Sequence, residues 1–595
     1  MRIPVAVTRR MPRWLRVVVA TLTLVLGVVV VIRPTTSLDL LAWLIGAGLV
    51  LAGLLQLVER PGFDAETDRP SVWRVAGAIV WLVGGVLVLA LPGLTVRLVA
   101  VVVGVGLLIN GVLSVVSGLR RSATLDARIA GISFGIAELV FGVLALAWPD
   151  ITLLIVAVVF GARLIMGGAL ELWSVARGEP RAAFRPKTAP GPVRRWTRTV
   201  AAVVALALAV GAAVVSGSVH GASPVVDSFY AAPRDVPAQP GRLIRAEPFT
   251  RDVPANARGW RILYTTERGD GSAAVASGLV VVPKDGSGPW PVIDWAHGTT
   301  GFAQNCAPSL AKHPFESGAL FSLDKVVDSG WALVATDYIG LGTAGPHPYL
   351  IGPDTAHAVL DAARAAPQLA VAHLGAHNVV WGHSQGGGAA LWTGATAKRY
   401  APELEIDGVA ALAPASNLPA LVDHLPSVTG GSVFASYVAA AYTAIYSDVS
   451  FRAYIRPGAQ VTVREMSKRC LAEPGVLVSV LHALALTRDP VIFSKDPNTG
   501  PLGKRIAQNV PPAGIGAPLL IAQGAADQLV IPSAQSAYVD GLCAAGQQVD
   551  YRTYAGLDHV PLVEAGSPAI PDLIAWTHDR FDGVPVAPGC TRRAE

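Results

Sequence analysis

The hydrophobic pattern changes once along the chain, near residue 240. Before that point apolar residues come in unbroken runs long enough to cross a bilayer, at about 17–32, 39–58, 73–91, 97–118, 128–148, 151–175 and 200–219. After it they come in short β-prone stretches, "ASGLVVVP", "WPVIDWAHG", "WALVATDYIG" and "HNVVWGHS", separated by helix-like segments such as "DTAHAVLDAARAAPQLA". The first pattern predicts an all-α membrane bundle of about seven transmembrane helices. The second predicts buried parallel strands with crossover helices, an α/β domain. The first run has the length of a signal peptide, but no small-residue cleavage site follows and a second run starts almost at once, so it is read as a span.

The first six runs are related. "GVVVVIRPTTSLDLLAWLIGAGLVLAGLLQLV", "GGVLVLALPGLTVRLVAVVVGVGLLINGVLSVV" and "FGVLALAWPDITLLIVAVVFGARLIMGGALELW" are each expected to close the first helix at a proline, Pro34, Pro92 and Pro149, in steps of 58 and 57 residues. A proline at a fixed offset, three times over, predicts a triplicated hairpin. Spaced small residues such as Gly46, Gly48 and Gly53 suit close helix approach in lipid. Over residues 15 to 178 this arrangement resembles the HdeD-type family of small bacterial membrane proteins, which implies a link to acid resistance but no defined chemistry. Glu138 and Arg163, inside the fifth and sixth runs, are expensive in lipid; they are expected to face each other as a pair fixing helix packing, or Arg163 to snorkel outward.

Charge sets the topology. Arg9, Arg10, Arg13 and Arg16 precede the first span, Arg120 and Arg121 lie between the fourth and fifth, and Arg177, Arg181, Arg185, Lys187, Arg194, Arg195 and Arg198 precede the seventh. The alternate turns carry almost none. The positive-inside rule therefore predicts a cytoplasmic N-terminus, and seven spans place everything after residue 220 outside. The expected organisation is a six-span domain over 1–178, a basic cytoplasmic linker over 179–199, a seventh span over 200–219, an extracytoplasmic linker over 220–242 and an α/β domain over 243–595. Four cysteines, Cys306, Cys470, Cys543 and Cys590, all lie in the last part. They form no close pair suited to zinc, and an even number in one exported domain fits two disulfides. A net charge of +5, with 52% hydrophobic and 15% charged residues, excludes a soluble nucleic-acid binder. Neither a metal nor an organic cofactor is expected.

The chemistry lies in "VVWGHSQGGGAAL". An apolar strand runs into Gly382-His383-Ser384-Gln385-Gly386 and then into an alanine-rich helix, the G-x-S-x-G elbow that exposes a nucleophilic serine. The elbow requires an acid and then a histidine later in the chain. "APLLIAQGAADQLVIP" supplies Asp527 beyond a strand, 143 residues after Ser384, and "VDYRTYAGLDHVPL" supplies His559. Asp558 competes as the acid, but it follows no strand end and, adjacent to His559, is expected to point elsewhere. The oxyanion donors are expected to be the backbone N–H of Gln385, at the helix start, and of Thr299 in "VIDWAHGTTG", with Gly298 or Thr300 as alternatives. His297 and His383 precede the two critical turns and are expected to pack or hydrogen-bond locally.

"WAHGTTGFAQNCAPS", "ATDYIGLGTAGPHPYL", "GHSQGG", "QGAADQLVIP" and "YAGLDHV" together resemble the secretory lipase family of α/β-hydrolases over about residues 245 to 585. The resemblance implies that fold, a carboxylester hydrolase activity, and Ser384, Asp527 and His559 in the triad positions. Asp337 and Tyr338 fall in the family's strand-end motif, with no role attached. Cysteine spacing leaves three pairings open; the resemblance implies Cys306–Cys470 and Cys543–Cys590. Apolar helical segments between about 415 and 512 read as a cap over the acyl site. The expectation is a membrane-anchored serine esterase or lipase acting on lipid or other hydrophobic esters. The alternatives are an acyltransferase of envelope lipids or sugars using the same triad, and a membrane stress-response module with an accessory hydrolase.

Overall fold

The computed structural model describes residues 13–32, 92–119, 125–177, 192–221, 223–316, 322–472, 476–480 and 492–595, with scattered positions between 43 and 90. The second and third apolar runs and the glycines at 46, 48 and 53 lie largely outside this set, as does much of the basic linker. The chain divides into two compact units. One comprises Met1–His220, Ile455–Thr462 and Leu484–Ile492; the other comprises Gly221–Tyr454, Val463–Ala483 and Phe493–Glu595.

In the first unit, Arg13–Ile32, Leu98–Leu119, Leu125–Ala147, Pro149–Ala176 and Thr199–Val219 are, among the described residues, the helical segments long and apolar enough to cross a membrane. Pro92 and Pro149 each open a helix, Pro92–Leu119 and Pro149–Ala176. There the missing N–H costs nothing, because the first turn of a helix has no intrahelical acceptor for it. The helix pairing differs from the expected hairpins. Leu125–Ala147 and Pro149–Ala176, the two halves of the third repeat, touch only sparsely. Leu125–Ala147 instead packs along Pro92–Leu119, and Pro149–Ala176 along Arg13–Ile32. Glycines decide this. A methyl group on Gly111 would press on the Gly135 carbonyl at 2.8 Å, one on Gly142 on Leu108 at 2.8 Å, and one on Gly161 on the Gly27 carbonyl at 2.9 Å. Backbones this close leave no room for side chains, so glycines on two helices must meet.

The expected Glu138–Arg163 pair is not formed. Glu138 accepts a 3.0 Å hydrogen bond from the Ser114 hydroxyl, and Arg163 is exposed on its helix. Arg16 instead pairs with Glu171, at 2.6 Å, and also donates to Ser174. Arg16 and Glu171 stand at the same end of two antiparallel helices that pack along each other.

The second unit is built on a ten-stranded sheet: β1 (Leu243–Phe249), β2 (Ala257–Glu267), β3 (Ala273–Pro283), β4 (Trp290–Ala296), β5 (Ala332–Ile339), β6 (Leu374–His383), β7 (Glu405–Leu412), β8 (Leu519–Gly524), β9 (Val549–Tyr554) and β10 (Cys590–Ala594). Its spatial order is β1-β2-β3-β5-β4-β6-β7-β8-β9-β10, antiparallel from β1 to β5 and parallel from β5 through β4 to β10. The parallel strands are buried on both faces: in β6, Val380 packs into one hydrophobic cluster and Val379 and Trp381 into the other. β1, β2, β7 and β10 are absent from the sequence reading. The charged residues of "LIRAEPF" and "CTRRA" and the alanines of "EIDGVAAL" carry no strong strand signal.

The stretch expected as an extracytoplasmic linker, 220–242, is in part structural. Phe229 and Tyr230 are buried against Leu263 and Val275, so the second unit begins well before residue 243. Between β7 and β8 the expected helical insertion contains Leu418–His424, Gly431–Ile445 and Gly500–Gln508. The disulfides join Cys306 to Cys470 and Cys543 to Cys590, the pairing implied by the resemblance.

Candidate active site

The elbow is a strained turn. Ser384 has φ 58° and ψ −119°, a region that side chains rarely occupy. It is held there from several directions: its N–H donates to the Leu412 carbonyl at 3.0 Å, and its own carbonyl accepts from Gly388 at 3.2 Å and Ala415 at 2.9 Å. A methyl group on Gly382 would collide with the Gly386 carbonyl, and one on Gly386 with the Ala296 carbonyl. Glycine at both places is what lets β6 turn sharply into the Gln385–Tyr400 helix beside β4.

The three side chains read from the sequence converge. His559 Nε2 lies 2.8 Å from Ser384 Oγ, and His559 Nδ1 lies 2.8 Å from Asp527 Oδ2. Ser384, Asp527 and His559 are all buried. With Asp527 ionised, Nδ1–H donates to it and Nε2 is left to accept the serine proton. Asp527 is held in place by the backbone N–H of Leu529 (2.9 Å) and Val530 (2.8 Å) on Oδ1 and by the Gln523 amide (3.0 Å) on Oδ2. Asp558 points away from the ring: it accepts from the backbone N–H of Gln528 at 2.9 Å and of His559 at 2.8 Å, capping the turn. Gln523 was absent from the sequence reading; only its place four residues before Asp527, on the acid strand, hints at it.

Thr299 and Gln385 line one cavity with Ser384. The Gln385 N–H opens a helix, where no intrahelical carbonyl faces it. The Thr299 hydroxyl shares a 3.0 Å hydrogen bond with Tyr349 OH. The Gln385 side chain donates to His347 Nε2 at 3.0 Å, while His347 Nδ1 faces the Ile339 carbonyl at 3.1 Å. Burial lowers the His347 pKa to about 3, so the ring stays neutral and can accept from the amide.

His297 and His383 take no part in the relay. His383 Nε2 bonds the His559 carbonyl at 3.1 Å, and burial, with His559 nearby, holds its pKa well below the ordinary value. His297 Nδ1 lies 2.6 Å from the Gly298 carbonyl and its Nε2 3.3 Å from the Asp337 carbonyl; burial lowers it to about 4. Both are neutral spacers that fix the turns on either side of the serine.

Asp337 and Tyr338 acquire a place. Tyr338 adopts a left-handed φ of 65° and donates through its hydroxyl to the His297 carbonyl at 3.0 Å. Asp337 accepts from Ser277 Oγ (2.6 Å), Ser309 Oγ (2.5 Å) and the Ser309 N–H (3.0 Å). Burial raises its pKa and the two serines act against that rise. The end of β5 thus grips the loop over 297–309 at both ends, and the Cys306–Cys470 bridge pins it a third time. Gly301, with φ 146°, is obliged to be glycine, because a side chain there would strike that bridge. The sequence marks the Asp-Tyr pair but not its contacts, which lie 28 to 60 residues away.

Residues 318–589 match the secretory lipase family, and residues 18–90, 76–143 and 133–185 each match a short repeat of unknown function (DUF308). The repeat matches start 58 and 57 residues apart, the spacing of the three prolines. The secreted triacylglycerol lipase LIP7 of Malassezia globosa is 25% identical over 60% of this chain and 79% of its own length. A relative from Mycobacterium tuberculosis, named a probable inactive lipase, is 25% identical over 61% of this chain and 83% of its own. The crystal structure of Candida antarctica lipase A superposes with a TM-score of 0.54 at 20% identity, covering 63% of this chain and 90% of that one. The C-terminal part of the chain is therefore a secretory lipase domain of α/β-hydrolase fold, carried behind a set of membrane repeats of the DUF308, HdeD-like kind.

Proposed function

We propose that this secretory lipase domain is a serine carboxylester hydrolase held at a membrane by the repeats that precede it, with lipid or other hydrophobic esters as substrates. The observation that carries the reading is the continuous relay from Ser384 Oγ through His559 to Asp527, with both links at 2.8 Å. A relative named inactive means that similarity alone does not argue for activity; the intact relay does.

In this reading Ser384 Oγ attacks the ester carbonyl carbon as His559 Nε2 takes its proton. The imidazolium is stabilised by Asp527. The backbone N–H groups of Thr299 and Gln385 receive the developing oxyanion. Collapse of the tetrahedral intermediate expels the alcohol, which takes the proton from His559. Water, deprotonated by the same nitrogen, then releases the acid from Ser384. All these groups belong to one compact unit, Gly221–Tyr454, Val463–Ala483 and Phe493–Glu595.

The topology proposed is a cytoplasmic N-terminus and an extracytoplasmic hydrolase. The one-sided distribution of Arg and Lys supports it, and so do two disulfides in the hydrolase, which persist in oxidising compartments. Reporters fused after residue 230 test it: a reporter active only in the cytoplasm would refute the orientation. For the chemistry, a fluorophosphonate probe should label the full-length protein at Ser384. Ser384→Ala should abolish p-nitrophenyl ester hydrolysis by up to about a millionfold. Full activity in Ser384→Ala would sink the reading.

A further inference from the structure

The cavity at Ser384 has two kinds of wall. One consists of the reacting groups, Ser384 with Thr299 and Gln385. The other is apolar and comes mainly from the insertion between β7 and β8: Leu421, Leu425, Phe434 and Val438, faced by Leu529 and Val530. Only about 20 Å³ inside the cavity is open to the centre of a water-sized group. That is room for no more than a few such groups beside the ester.

The apolar wall is built in and does not lie loosely over the serine. Along Gly431–Ile445, which carries Phe434 and Val438, Tyr437, Val438, Ala439, Ala441 and Tyr442 are 0–2% exposed. Tyr442 OH donates to the Leu350 carbonyl at 3.0 Å, and Tyr437 OH to the Arg469 carbonyl at 2.9 Å. Tyr437 also meets Tyr349 edge-on, with ring centroids 5.7 Å apart. The start of the helix is fixed too, because a side chain on Gly431 would collide with the Leu425 carbonyl. Moving this wall to admit a long chain breaks buried hydrogen bonds and core packing together.

We propose that the acyl site takes short chains, about six carbons at most, and that Phe434 and Val438 set the limit. The alcohol part lies toward the mouth and is not limited in this way. The inference rests on the ester-hydrolase reading above.

The test is a p-nitrophenyl series from acetate through butyrate, hexanoate and octanoate to palmitate, with full-length protein in one fixed mixed-micelle composition. Within the pocket each added methylene should raise kcat/KM by up to about fourfold. Beyond hexanoate the value should turn over and fall. Phe434→Ala should move the peak by two or more carbons toward longer chains, whatever happens to absolute rates. Val438→Phe should move it toward acetate, so that one variant failing to fold leaves the other to decide. A wild-type peak at palmitate, or a peak that neither substitution moves, overturns the short-chain inference while leaving the hydrolase intact. No turnover of any chain length, with Ser384 unlabelled by fluorophosphonate, overturns the hydrolase reading and this one with it.

Discussion

Gly135 in the membrane unit is buried, while its neighbours Phe134 and Ile136 are 38% and 39% exposed. In β6 of the hydrolase the large residues Val379, Val380 and Trp381 are all at 0%. The two units therefore sort the same residue types in opposite directions. Across the membrane-length helices only 11% to 28% of each apolar window is buried, and much of what is buried is Gly, Ala, Ser or Thr. Where lipid is the solvent, a leucine gains little by turning inward, and association depends on how closely backbones can approach. In the hydrolase, water is the solvent, so apolar area drives burial, and Ser384 and Tyr338 at the site are among the residues held with positive φ.

If the chemistry belongs wholly to the second unit, the sharpest tests lie there. Asp527→Asn should lower kcat by about ten-thousandfold, because the ring of His559 loses the tautomer that accepts the serine proton. Asp558→Asn keeps its acceptor oxygen for the two backbone N–H groups and should change kcat only a few-fold. Equal losses for the two would show that the acid has been misassigned.

A smaller effect is expected from Tyr338→Phe, which removes the hydroxyl from the His297 carbonyl without changing the ring. If the loop that carries Thr299 receives the oxyanion as proposed, it loses one support, so kcat should fall by about tenfold with KM little changed, as for an interaction felt mainly in the transition state. Affinity for a trifluoromethyl ketone, which mimics the tetrahedral state, should fall in parallel. A rise in KM alone would mean that Tyr338 shapes binding and not the oxyanion loop.

Gly135→Leu puts a side chain where the Gly111 carbonyl and Val115 stand, and it should destabilise that helix pair by about 1–3 kcal/mol. Helicity should be lost at a lower mole fraction of SDS, while turnover of a soluble short ester stays the same. A matching loss of turnover would break the separation between the units.

The smallest expected effect concerns Asp294 in β4, buried to 1%, with neither carboxylate oxygen hydrogen-bonded to the described protein groups. Burial raises its pKa well above the ordinary carboxylate range. Its proton is thus held more tightly folded than unfolded. The cost of burying it is least below about pH 4, the unfolded value, and grows as pH rises toward the folded pKa. Asp294→Leu should therefore stabilise the hydrolase by about 1–2 kcal/mol at pH 7 and by less at pH 4. Thermal midpoints at the two pH values check it; a gain that shrinks as pH rises would contradict the burial argument.

What could be read without coordinates was what depends on neighbours in sequence. Hydropathy marked the membrane-length helices, Pro92 and Pro149 marked the breaks between runs though not that they open the second helix, and Gly382-x-Ser384-x-Gly386 between strand and helix marked the elbow. Asp527 and His559 followed because chain order in this fold is restrictive. Other features needed the folded chain. Hydropathy is the same on every side of an apolar helix, so it could not tell that Leu125–Ala147 pairs with Pro92–Leu119 and not with its own repeat partner; glycine positions on two helices together decide that. Gln523 on Asp527, Tyr338 on His297 and Asp337 on Ser309 are contacts whose chemistry any polar residue could offer, and only the register of the sheet selects them. Asp294 belongs here too: in sequence it is one polar residue in a strand, and its lack of a partner exists only once β5, β6 and the helices close around it. Local rules act over a turn or a strand, whereas burial and pairing are sums over distant chain, and those sums are available only in three dimensions.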